Sequence, residues 1–530
     1  MRTRALTSLG AGLAAGLVAA FQLRELVLLD PLALRGRLID DAFFYTIVAR
    51  RLHASGSPSF DGEMTTNGLQ PGWTALTLAV QSALPSGDSL APMLRVSWLL
   101  YAVFAAALFA YLGRRCAGRG FAAAALAFAA LVALNPAFQR LAVQGLETPL
   151  LLALAPLFLV LSDRLAALEP ARALPIGATV ALALVAAALF FARTDWFWVS
   201  VVSFAWVWRR GGVRAGAAFA LVTALCVAPY LAANLAYGGS LLPISGRVKL
   251  FYLASFAPDL GAYLASDEWR GFVSSFAEVF PFGRAGAWLA FPAVVAAGAY
   301  TILRRDRLGA GLVTFGVAAG LHFVFMHLVY RELRPYSGYY FALELIWIGL
   351  LAALALGELA ARRPRLALGL AAGLALLSAI AALRDDRAGD RERYWGTRIA
   401  LADDIRRIAP AGEHVAAFWP GAFSYFSGRD VIPLDGVIGS AAYFESHVRT
   451  GRELDFVRER RAAYLAIHLP VPPEELRAQA EPPPIRSWAD LGTLRLWQQR
   501  DVSWRTVAAR TFSERGGGWY LIEFPWRCCR

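Results

Sequence analysis

The chain has 530 residues, of which 58% are hydrophobic and 17% charged, and its formal net charge is +13. That apolar excess excludes an ordinary soluble enzyme and points to a protein that crosses the bilayer many times. The positive charge does not mark a nucleic-acid binder, because the basic residues fall in short clusters between apolar runs and no basic face is interleaved with stacking aromatics.

In chain order, an Arg2/Arg4 end leads into an apolar run over 5–29 that is long enough to span. It reads as an uncleaved anchor, with a cleaved signal peptide as the alternative, and in either case the chain beyond Asp30 lies outside. The outer loop 30–95 contains Phe44, Ile47, Val48 and Leu52 at helical spacing, which predicts a helix over 41–54 lying on the membrane surface. The apolar run 73–84 is too short to span comfortably and reads as re-entrant or interfacial. Further spans are predicted over 96–113, 121–135, 149–162, 174–191, 196–208, 215–235, 285–303, 308–330, 339–360 and 366–383. With this alternation the clusters Arg114/Arg115/Arg119, Arg164/Arg172, Arg209/Arg210/Arg214, Arg304/Arg305/Arg307 and Arg362/Arg363/Arg365 are all cytoplasmic, as the positive-inside rule requires. The expected architecture is mainly α, a polytopic bundle of about eleven spans with its N-terminus inside and its C-terminus outside. Two domains are expected, a membrane module over 1–383 with outer loops 30–95 and 236–284, and an extracytoplasmic α/β domain over 384–530. In the latter, 414–419, 431–434, 463–467 and 516–524 read as strands and 452–461 as a helix.

Chemistry is most legible in the acidic pair Asp40-Asp41. Carboxylates at a membrane surface are costly unless they have a task. One of the pair can act as a base toward a hydroxyl while the other orients it; stabilisation of a helix N-terminus is the structural alternative. Lys249 is the only lysine of the chain, in the turn-rich stretch Pro243-Ile-Ser245-Gly246-Arg247-Val-Lys249. Backbone amides at Ser245-Gly246, with Arg247 and Lys249, form a candidate phosphate cradle; the alternative is a basic interfacial segment facing lipid headgroups. Glu147 and Arg334 are the strongest candidates among the other charged residues at outer span ends, which include Arg140, Arg193 and Asp195. The six histidines show no ligand spacing, and the four cysteines build no disulfide framework. A divalent metal at the acidic pair is chemically possible, but no further acidic cluster stands in the outer loop, so no cofactor is obligatory.

The run Leu38-Ile-Asp40-Asp41-Ala-Phe-Phe-Tyr45, followed by Thr66-Asn67-Gly68-Leu-Gln-Pro71-Gly-Trp73, resembles bacterial GT-C-type membrane glycosyltransferases. Gly145-Leu-Glu147-Thr, Arg193-Thr-Asp195, the Lys249 stretch and Leu434-Asp435-Gly436 are similar to further marks of one such subfamily, so that the resemblance covers nearly the whole chain. It implies a bacterial inner-membrane enzyme that takes a sugar from a polyprenyl-phosphate carrier and inverts the anomeric centre. The acceptor would be a hydroxyl of a glycan, lipid or protein. By the same resemblance Asp40 would be the general base and Asp41 its substrate-orienting neighbour. Lys249, Arg247, Ser245, Arg334, Glu147, Tyr45 and Asn67 would form the donor-phosphate and substrate site. Where relatives of this type often carry His-Pro-Leu-Trp, this chain has Gln70-Pro71-Gly72-Trp73. Rival readings are a lipid or anion transporter, or a lipid-linked glycan ligase or polymerase. A transporter would place its charges near the bilayer midplane rather than at the outer span ends.

Overall fold

The computed structural model describes residues 38–84, 88–116, 118–169, 174–256, 295–304, 308–326, 338–383, 387–483, 491–498, 504–511 and 517–525, with isolated positions between them. The expected spans over 5–29 and most of 285–303 lie outside the described residues, as does Arg334.

Helix α1 (Asp40–Ser55) begins with both acids in its first turn and ends at Gly56, whose φ of 72° places it in the left-handed region. Its eight residues from Ala42 to Ala49 are all buried. The expected surface helix is therefore a covered one. Phe43, Phe44, Ile47 and Val48 pack into the bundle core, and a soluble-domain element closes over the other side, with Phe43 against Tyr425 at 4.9 Å and Phe426 at 5.3 Å. Helix α2 (Pro71–Ala83) has 13 residues. At ~20 Å it is short of a ~30 Å hydrocarbon core, and it is anchored by Trp73, whose indole N–H donates to the Gly145 carbonyl at 3.2 Å.

The bundle then runs through α3 (Leu90–Arg115), α4 (Arg119–Phe128, continued by a π turn over Ala129–Ala133), α5 (Pro136–Ala142), α6 (Thr148–Ala166), α7 (Ile176–Ala192) and α8 (Phe197–Gly238). After α9 (Ile244–Phe256) come α10 (Ala310–Phe325), α11 (Ala342–Arg362) and α12 (Pro364–Leu383). Among the described residues, four helical stretches are long and apolar enough to cross a membrane: Leu90–Arg115, Thr148–Ala166, Thr194–Gly238 and Tyr339–Arg362. Shorter apolar helices fill in at Arg119–Ala133, Ile176–Ala192, Ala310–Phe325 and Pro364–Ile380. The chain breaks within α8 at Gly212, with φ 70° and ψ −170°. A Cβ on Gly216 would touch the Trp208 ring, although eight residues of unbroken helix would separate them by ~12 Å. The chain thus turns back between the two expected spans, beside Arg209, Arg210 and Arg214. Elsewhere helices approach through glycine: a Cβ on Gly120 in α4 would lie 2.9 Å from the Gly357 carbonyl oxygen of α11.

Beyond the bundle, α13 (Arg387–Ile408) leads into a five-stranded sheet of order β2-β1-β3-β5-β4, built from β1 (Val415–Ala417), β2 (Val431–Pro433), β3 (Tyr464–Leu469), β4 (Arg505–Thr511) and β5 (Gly518–Glu523). The first three strands are parallel, and β5 and β4 add antiparallel. Both faces are covered, so β1 and β2 read as apolar runs rather than alternating ones. Val415, Ala417 and Val431 pack with Leu401, Ala402 and Ile405 of α13, while Ala416 and Ile432 pack with Ile244, Val248 and Tyr252 of α9. Ile244, Val248 and Tyr252 are four apart, one stripe of a helix. The helix carrying the sole lysine is therefore part of the soluble domain's own core.

Candidate active site

The two acids of α1 face different partners. Asp40 Oδ2 accepts from the Gly421 amide at 3.0 Å, and its Oδ1 accepts from the Ala422 amide at 2.8 Å and from Arg398 Nη2 at 2.7 Å. The amides belong to the N-terminus of the short helix α14 (Gly421–Ser427), just after β1. Arg398 is buried, with its guanidinium over the Trp519, Phe423 and Trp395 rings. Its Nη2 also donates to the carbonyl of Trp419, which holds a left-handed φ of 57° that a bulky side chain rarely adopts. Burial pushes the Asp40 carboxyl up, and Arg398 and the two amides oppose that rise by favouring the anion. With three donors on two oxygens, Asp40 binds the outer domain to α1. The family resemblance implies that Asp40 is the base; a base must be able to release its hydrogen-bond partners.

Asp41 lies one helical turn before Tyr45, on the same face, and its charge acts on both Tyr45 and Asp435. Tyr45 opens a connected polar strip. Its hydroxyl donates to Glu147 Oε2 at 3.0 Å and accepts from the Gln70 amide at 3.2 Å, and burial together with the Glu147 charge holds the phenol well above its ordinary value. Glu147 Oε1 accepts from Arg193 Nη1 at 2.8 Å. Arg193 also makes a two-point pair with Asp195, at 2.7 and 3.1 Å, and its guanidinium lies 4.3 Å from the centre of the Tyr340 ring. The Tyr340 hydroxyl in turn accepts from Lys249 Nζ. On the bundle side His322 extends the strip, with Nε2 3.5 Å from Asp195 and Nδ1 2.5 Å from Glu344, under the Trp196 ring.

Other expected site residues are committed elsewhere. Asn67 donates to Asn234 Oδ1 at 3.1 Å and accepts from the Ile244 amide at 3.0 Å, fixing the start of α9. Arg247 donates to the Gly238 carbonyl at 2.7 Å and pairs with Glu445, so it ties α9 to the outer domain. Of the amides expected to cradle a phosphate at Ser245-Gly246, that of Gly246 donates to the Pro243 carbonyl at 3.0 Å, as does the Arg247 amide at 3.2 Å. Ser245 stands half-buried in the first turn of α9. Gln70, where the resemblance expects histidine, is a brace: its side-chain oxygen accepts from the Thr194 amide at 3.0 Å, next to Arg193. The pairing of Glu147 with Arg193, 46 positions apart, has no local signal in the chain. Among the described residues no three His, Cys, Asp or Glu side chains are grouped so as to hold a metal ion.

No protein-family model matches the chain, and no curated protein matches its sequence. Solved structures do match. ArnT from Cupriavidus metallidurans bound to undecaprenyl phosphate is similar with a TM-score of 0.54 at 14% identity, over 96% of this chain and 97% of that one. The Archaeoglobus fulgidus oligosaccharyltransferase tethered with an acceptor peptide is similar with a TM-score of 0.52 at 13% identity, over 96% of this chain and 74% of that one. At such identities the likeness is one of fold, and the fold of this chain is the one these structures share, a bundle of apolar helices with an added soluble domain.

Proposed function

We propose that the chain is an inverting glycosyltransferase that moves a sugar from a polyprenyl-phosphate carrier to an acceptor hydroxyl at the outer membrane face. The observation that carries this reading is the polar strip that runs from Lys249 through Tyr340, Arg193 and Glu147 to Tyr45, one turn from Asp41. A strip with cations at one end and acids at the other matches the two charges such a reaction must handle, a departing phosphate and an acceptor proton. The fold supports the donor class, since ArnT carries undecaprenyl phosphate in the same architecture.

In this reading Lys249, already held against Tyr340, supplies a compact point charge to the lipid phosphate. Asp41 takes the proton of the acceptor hydroxyl as its oxygen bonds to C1 from the face opposite the carrier. The C1–O bond to phosphate breaks, its electron pair stays with the phosphate, and polyprenyl phosphate leaves. Arg193 is neutralised by Glu147 and Asp195 and serves to hold Tyr340 in place. Asp40 keeps the outer domain closed over α1.

The test is to incubate the purified protein with a panel of undecaprenyl-phosphate sugars and follow release of undecaprenyl phosphate. Sugar-dependent release that falls in Lys249→Met supports the reading; no release with any donor would refute it.

A further inference from the structure

One buried acid has no part in the scheme above. Asp435 follows β2 in the run Leu434-Asp435-Gly436 and is 1% exposed. Its Oδ1 accepts from the Val437 amide at 3.0 Å. Its Oδ2 is buried and makes no hydrogen bond of ordinary geometry among the described residues, although the Trp419 amide is near enough to act on the carboxyl. A buried carboxylate oxygen left without a donor is expensive, and its surroundings make the anion worse placed still. The charges of Asp40 and Asp41 both act on it.

Asp435 is buried just beyond the carboxyl end of β2. The carboxyl ends of the adjacent parallel strands β1 and β2 lead to the Trp419-to-Ala422 turn that holds Asp40 and to Asp435 itself, and such strand ends are where open α/β sheets bind ligands. Gly436, with φ 77°, lets the turn press on the lysine helix: a Cβ there would sit 3.2 Å from Val248 Cγ2, the residue before Lys249. On the other side, a Cβ on Gly68 would meet the Val437 carbonyl oxygen at 2.1 Å, so the turn also rests on the Thr66-Asn67-Gly68 segment. Asp435 is thus wedged between the acid-bearing module and the helix of Lys249.

We propose that Asp435 is a third carboxyl group of the transfer site, whose O–H donates a hydrogen bond to a hydroxyl oxygen of the bound sugar or acceptor. This rests on the glycosyl-transfer reading. Burial, reinforced by Asp40 and Asp41, pushes the carboxyl up to about 7, while the Val437 and Trp419 amides oppose the rise. The titratable groups that face it are Asp40 and Asp41 of α1, Tyr252 of α9, and Tyr443 in the run 441–448; Glu453 and Arg495 act on the same two tyrosines. A neutral acid explains the orphan Oδ2 as the atom that bears the proton and awaits a substrate acceptor.

Two measurements test this. Infrared pH titration of the intact protein in lipid should show a carboxyl band that titrates near neutral pH and is missing in Asp435→Asn. Transfer from undecaprenyl-phosphate sugars should fall by about tenfold per pH unit above the Asp435 transition in wild type. Asp435→Asn keeps a donor at that position and should lack this alkaline limb. Asp435→Ala should run about 10²-fold below the acid plateau of wild type, with no alkaline limb of its own; a rise in KM for the lipid donor would place the contact on the donor sugar, and a rise for the acceptor would place it there. If Asp435→Ala does not fold, the Asn variant decides alone. An alkaline limb retained in Asp435→Asn, a wild-type rate and profile in Asp435→Ala, or no missing infrared band would each overturn the proposal. A wild type that turns over no donor while the band still titrates would instead refute the transfer reading and with it the sugar contact, leaving only the buried acid.

Discussion

Adjacent aspartates with the same side chain meet opposite fates because a helix turns about 100° per residue. Asp40 points to α14 and Arg398, and Asp41 shares the Tyr45 face. Asp41→Asn is expected to cost ~10²–10⁴ in transfer rate with an unchanged melting temperature. Asp40→Asn is expected to lower the melting temperature, because it strands the buried Arg398, and breaking a buried pair typically costs about 3–5 kcal/mol. The reverse pattern, seen in parallel melting curves and rate assays, would return the base role to Asp40. Arg193→Met leaves Glu147 and Asp195 facing each other across a buried gap, and detergent melting should fall further than in Lys249→Met. Asp435 also makes stability depend on pH. Its carboxyl titrates near 7 in the fold against 3.8 ordinarily, so the unfolded chain releases the proton first. Its contribution is full below about 4, drains away as pH rises to about 7, and is level above that. The melting temperature of wild type relative to Asp435→Asn should therefore decline across that window and then stay constant.

Elements are joined across the two modules at points where only glycine fits. A Cβ on Gly421 would stand 2.4 Å from the Asp40 carbonyl oxygen and 2.9 Å from Phe44. Gly421→Ala should push α14 off α1 at a cost of about 1–3 kcal/mol. Hydrogen exchange of the Ala422 amide, which Asp40 accepts, reports this directly; exchange as slow as in wild type would show that the contact does not hold the joint. The boundaries of several elements were legible beforehand. The strand expectations over 414–419, 431–434 and 463–467 coincide with β1, β2 and β3, because buried parallel strands are short apolar runs bounded by turns. The edge strand β4 was not legible, since Arg505–Thr511 carries arginine at both ends of a half-exposed segment. The helix expected over 41–54 was placed correctly along the chain, but its cover was not legible. Its helical period is visible, but the partner that covers its second face, α14, is nearly 400 positions away.

At the scale of the whole molecule, the outer domain is clasped to the membrane module by several polar contacts besides Asp40: Arg51 with Asp430, Arg247 with Glu445, Arg460 with Glu63, and Tyr425 with Asp88. These contacts put the domain and the loops that touch it on the same side of the membrane, and the positive-inside rule predicts the arginine-rich turns on the other. In a chain freed of native cysteines, Asp430→Cys should react with an impermeant maleimide in intact cells, and Arg214→Cys only after permeabilisation; labelling of both from outside would overturn that sidedness. The amino-acid sequence by itself determined that the chain is built of repeated membrane-crossing apolar helices, and it set apart an acidic pair and a single lysine whose expected place is the outer side. These follow from composition and spacing, which a linear chain displays. Only the tertiary structure decided that Asp40 meets Arg398 and the Gly421 and Ala422 amides, that Glu147 pairs with Arg193, and that Asp435, from the far end of the chain, comes within reach of the charges of Asp40 and Asp41. Such roles are set by burial and by which charge lies within a few ångströms, and neither exists until distant segments pack.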